Sequence, residues 1–60
     1  MTQNTNQAEF KIGDHVEGGR PGSEDYDHGY VTEIDGEQVT VAWEQSLVTT
    51  TQHASALRAF

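Results

Sequence analysis

Sixty residues leave room for one domain, and ten carboxylates against three basic side chains set a net charge of −7. That balance disfavours phosphate backbones and anionic lipid surfaces as partners, because almost nothing on the chain can displace their counterions. The absence of cysteine removes disulfides and thiolate zinc sites, so a domain this small must rely on a packed core or on self-association.

Met1 to Glu9 are polar and carry neither a basic region nor an apolar run. They predict a disordered tail with no secretory signal, followed by one domain over residues 10–60. No stretch approaches membrane-spanning length, and the cytoplasm is the expected compartment. Phe10-Lys-Ile-Gly-Asp-His-Val16 reads as a tight turn at Gly13-Asp14 leading into a first strand. Gly18 to Asp27 is a long loop, broken by Gly18, Gly19, Pro21 and Gly22 and turning acidic at Glu24, Asp25 and Asp27.

His28 to Ile34 reads as a second strand. Val31 and Ile34 lie three apart, so either Tyr30, Thr32 and Ile34 share a face or a bulge brings Val31 and Ile34 to the same side. Asp35-Gly36 signals a hairpin with both central residues at positive φ. Val39, Val41 and Trp43 alternate with Thr40 and Ala42, the clearest strand of the chain. Glu44 to Ser46 is a turn, and Leu47 to Thr51 a β-branched fourth strand. Gln52 to Ala56 fits one tight helical turn, and Leu57 to Phe60 a closing strand. The expected core is Phe10, Ile12, Val16, Val31, Ile34, Val39, Val41, Trp43, Leu47, Val48, Leu57 and Phe60, with partial contributions from Tyr26 and Tyr30.

Gly13-Asp14-x-Val16, Gly29-x-Val31-x-x-Ile34, Val39-x-Val41-x-Trp43 and Leu57-Arg58 together resemble the SH3-like barrel superfamily that contains Tudor and KOW modules. The resemblance covers Phe10 to Phe60, about five sixths of the chain. It implies an all-β, five-stranded SH3-like barrel. A Tudor-like reading implies an aromatic cage for a methylated basic side chain, with rings from Tyr26, Tyr30 and Trp43 and an anion from Asp25 or Asp27. The Asp-Tyr-Gly element of that group is replaced here by Glu44-Gln45-Ser46. The chain also resembles the type II dihydrofolate reductases in its length, its Phe-x-x-Gly-Asp-x-Val opening and its Ala-Leu end. That likeness implies a tetrameric enzyme with folate and NADPH in a central pore. The pore-lining Val-Gln-Ile-Tyr stretch would fall on Thr49-Thr50-Thr51-Gln52, where none of the four residues agrees, and a chain of this charge repels anionic ligands.

Catalytic signals are weak. Ser23, Ser46 and Ser55 stand in no nucleophile motif, and no pair of carboxylates is marked as buried. His15, His28 and His53 lack metal-ligand spacing. Glu24, Asp25 and Asp27, set across from Asp35 and Glu37, lack the spacing of a calcium loop. Trp43 is expected to plug the core, with a lesser role lining a groove beside the first loop. The sequence therefore predicts a non-catalytic protein-binding module without metal or cofactor. Its acidic, tyrosine-bearing face would be built from Glu24, Asp25, Tyr26, Asp27, Tyr30 and Asp35. The expected partner is a protein with a basic surface, such as a nucleic-acid-handling enzyme that the module regulates or inhibits, with no direct contact to nucleic acid or membrane. The alternatives are an oligomeric reductase-like enzyme and a structural accessory subunit.

Overall fold

Short β-prone runs separated by turn residues fold as one antiparallel sheet. The computed structural model describes residues 10–60; the expected tail, Met1 to Glu9, lies outside them. The strands are β1 (His15–Gly18), β2 (Asp27–Asp35), β3 (Gln38–Trp43), β4 (Thr49–His53) and β5 (Leu57–Ala59), with a 3₁₀ turn over Ala54–Ala56. Their order across the sheet is β4-β3-β2-β1-β5. The edges β4 and β5 are joined by the 3₁₀ turn and do not pair with each other, so the ladder is not closed. Among the described residues no helix is long and apolar enough to cross a membrane.

The alternation in β1 and β3 decides which face is apolar. Val16, Val31, Val39, Val41, Trp43, Ala54 and Leu57 form one buried cluster, with Phe10 packed against it. A single sheet with no second layer buries such a face only by curling over it. Curling demands close backbone approach, and Gly29 supplies it. A Cβ at Gly29 would stand 2.2 Å from the Ala42 carbonyl oxygen and 2.9 Å from Trp43 Cα.

The second strand resolves in favour of the bulge. Its register shifts between Val31 and Glu33, so Val31 pairs with Val41 and Ile34 with Val39; Val31 is buried there, whereas Ile34, near the end of the strand, stays exposed. The opening turn sits against this irregularity: Gly13 N donates to Val31 O at 2.8 Å and Val31 N to Asp14 O at 3.0 Å. The Asp14 carboxylate holds the turn by accepting from Lys11 N at 2.8 Å.

Several expectations need correction. The hairpin turn is centred on Gly36-Glu37, since Asp35 pairs with Gln38, and only Gly36 has positive φ, at 64°. This fits a turn with glycine in the first central position. β1 extends through Gly18, and β4 begins two residues later than expected, leaving Leu47 and Val48 in the preceding turn. Ile12, Ile34, Leu47, Val48 and Phe60 are exposed and do not belong to the buried core. Ile12 lies in the opening turn, and Phe60 follows Leu57 at odd spacing and so falls on the outer face beside His15. Ala54, not foreseen as core, is buried because Ala54 N donates to Glu37 O and draws the 3₁₀ turn under the sheet.

Gly29→Ala is expected to cost about 3 kcal/mol in urea denaturation, because backbone atoms must move to admit the methyl. Gly36→Ala meets open space and is expected to cost only the left-handed backbone penalty of about 1 kcal/mol.

Candidate functional site

The acidic loop between β1 and β2 lies beside the end of β3 and borders an open hollow of about 320 Å³. Trp43 forms its floor. The indole lies against Gly18, where a Cβ would come within 2.9 Å of Cη2, so β1 must carry glycine at that point. Trp43 Nε1 donates to Thr50 Oγ1 at 2.8 Å, and the Thr50 hydroxyl donates to Gln52 Oε1 at 2.7 Å. The indole is thus both core and floor, uniting the two roles the sequence set against each other. Tyr26 and Val48 add apolar wall, and Glu24, Asp25 and Asp27 bring carboxylates to the rim.

The six residues of the expected face do not form one surface. Glu24, Asp25, Tyr26 and Asp27 line the hollow. Asp35 lines a different one with Ile12, Ile34 and Gln38. Tyr30 lies on the outer face, stacked on His15 with ring centroids 4.5 Å apart. An aromatic enclosure from Tyr26, Tyr30 and Trp43 is therefore not assembled. Neither are the acidic loop and hairpin tip joined as a calcium site, because Glu37 is engaged with His53 at 2.7 Å.

Two side chains in the face serve the fold as well. The Tyr26 hydroxyl donates to Glu17 Oε1 at 2.7 Å. Arg58 Nε donates to Glu17 Oε2 at 3.1 Å, and Arg58 Nη2 donates to the Gly19 carbonyl at 2.7 Å. This chain ties β5, β1 and the loop together. The Tyr26 hydroxyl, and then Arg58, hold the Glu17 carboxyl below its usual range, and Glu17 in turn raises the Tyr26 phenol. Asp27 reaches across to the β3–β4 turn. Its Oδ1 accepts from His28 N at 2.8 Å and Gln45 N at 3.0 Å, and its Oδ2 accepts from Ser46 N at 3.0 Å. Partial burial pushes the Asp27 pKa up, but the amides of Gln45, Ser46 and His28 outweigh it and leave the carboxyl below its ordinary value. Asp25 is also lowered, chiefly by the Ser23 hydroxyl. Glu24 and Asp25 are exposed and are the carboxylates best placed to meet a ligand.

Sequence reasoning missed the Glu17–Arg58 tie and the aromatic cluster on the outer face. In that cluster His15 Nε2 lies 3.0 Å from His28 Nδ1, and Phe60 packs on both rings. The signal was the parity of His15-x-Glu17 against His28-x-Tyr30, which the register places side by side on one face. His53 stands apart from this pair in its bonding, held by Glu37 and Ser55. Among the described residues no three His, Asp or Glu side chains converge to hold a metal ion.

Asp27 has a folded pKa below its ordinary 3.8, so its contribution to stability is complete above that value and is lost as pH falls through the folded one. Asp27→Asn is expected to lower the melting midpoint at pH 7 by ~5 °C, because the amide replaces one acceptor oxygen with a donor facing an N–H. The gap between variant and parent should narrow as both are melted at successively lower pH below about 3.8. No family model matches this chain, and no curated protein or solved structure is similar to it at a significant level.

Proposed function

We propose that this protein is a non-catalytic binding module, built as an SH3-like barrel, that receives a basic surface of a partner protein in the hollow beside Trp43. The observation that carries the reading is the composition of that hollow. An indole floor, the Tyr26 ring and Val48 stand beside the exposed carboxylates of Glu24 and Asp25. A lysine or arginine side chain has an apolar stem and a cationic head, and this pairing of surfaces suits both parts.

The net charge of −7 adds long-range attraction toward any positively charged partner. A nucleic-acid-handling protein is the partner class whose surface fits, with the module regulating it by occupying its basic site. The barrel assignment is supported by the five-stranded antiparallel order and by the 3₁₀ turn between β4 and β5. The working face is narrower than the sequence suggested. It centres on Glu24, Asp25 and Tyr26, while Asp27 stabilises the turn behind them.

An oligolysine peptide is expected to shift the Trp43 indole resonance in NMR titration, with affinity falling as salt rises. Glu24→Gln combined with Asp25→Asn should weaken that binding about fivefold, since each exposed ion pair contributes modestly. Salt-insensitive binding, or shifts confined to the Asp35 end, would sink the proposal.

A further inference from the structure

Leu47 is the one non-glycine residue with positive φ among the described residues, at 63°. It is also the most exposed large apolar side chain among them, at 83%. The two facts point the same way. A left-handed backbone favours glycine or asparagine, and a branched apolar side chain there is strained. An exposed leucine returns almost no burial to offset that strain.

The turn is nonetheless held firmly. Leu47 N donates to Trp43 O at 3.2 Å, Trp43 N donates to Val48 O at 2.9 Å, and Asp27 grips the amides of Gln45 and Ser46. The surroundings thus impose the conformation on a residue ill suited to it. The same turn supplies Ser46 and Val48 to the rim of the hollow, and Val48 is itself half exposed. A strained, solvent-facing leucine therefore lies between Ser46 and Val48, two residues that line the hollow.

We propose that Leu47 is a specificity-determining contact. It would receive an apolar side chain that neighbours the basic residue bound in the hollow. The occupant is an extended basic segment of another protein with an aliphatic residue beside its lysine or arginine. The argument for a basic segment is charge: the rim carries Glu24 and Asp25, and Glu44 opens the turn. The argument for an aliphatic neighbour is the uncovered Leu47 and Val48. This inference rests on the binding reading above and adds the requirement for an apolar residue.

The test uses the full chain and two probes, a lysine-rich peptide with one central leucine and the same peptide with serine in its place. The leucine peptide is expected to bind about tenfold more tightly, the effect of covering one aliphatic side chain in part. Leu47→Asn should bring it to the level of the serine peptide while leaving serine-peptide binding unchanged. In the free protein, Leu47→Asn and Leu47→Gly should raise the melting midpoint by a few degrees, ~4 °C for asparagine. Equal binding of the two peptides overturns this inference and leaves the basic-surface reading standing. A leucine preference that survives Leu47→Asn, or a lower melting midpoint for both variants, also overturns it. Binding of neither peptide overturns both readings together.

Discussion

The seating of one indole against a bare backbone is the constraint on which the rest of this molecule depends. Trp43 is the only tryptophan in a chain with few large apolar groups, and its ring rests where β1 has no side chain to obstruct it. Remove that space at Gly18 and the ring must tilt. The bond to Thr50 would lengthen, and the hollow beside the acidic loop would lose its floor. The packing of the core and the shape of the hollow are therefore not separable here. The floor of the hollow is the upper side of the largest core residue.

A second consequence of small size is that charged residues are used structurally. Glu17 joins the loop to the last strand through Tyr26 and Arg58, and Asp27 holds a turn eighteen residues downstream. In a larger domain such ties would be supplied by buried apolar contacts. Here Glu17 and Asp27 do that work, while Glu24 and Asp25 stay exposed at the rim of the hollow. An acidic composition thus divides into carboxylates engaged in the fold and carboxylates left at the surface, and the division is invisible to net charge.

The fold was largely legible in the sequence, because its signals are local. Alternation at Val39, Val41 and Trp43 and the three-residue spacing of Val31 and Ile34 are each written within a few positions, whereas the opening turn is centred on Ile12-Gly13, one residue before the expected Gly13-Asp14. The hairpin was misplaced by one residue, since Asp35-Gly36 and Gly36-Glu37 differ only in which strand claims the aspartate, and pairing with Gln38 settled it. The site was half legible. Loop neighbours Glu24 to Asp27 stayed together, but Tyr30 was lost to the opposite face by strand parity and Asp35 to another hollow. Contacts such as Glu17 with Arg58, forty-one positions apart, have no local signature. Leu47 and Val48 read as strand because their side chains are β-compatible, whereas the turn that Asp27 clamps extends through them.

The thinness of the core has a thermal consequence. Four valines are the largest fully buried side chains, and a domain spanning residues 10–60 unfolds with an enthalpy of roughly 35 kcal/mol and a heat-capacity increment of about 0.7 kcal/mol/K on per-residue averages. So small an enthalpy spreads the transition over ~25 °C. Folded and open chains then coexist across a wide span of temperature, and any ligand that selects the folded form shifts that balance appreciably even when it binds weakly.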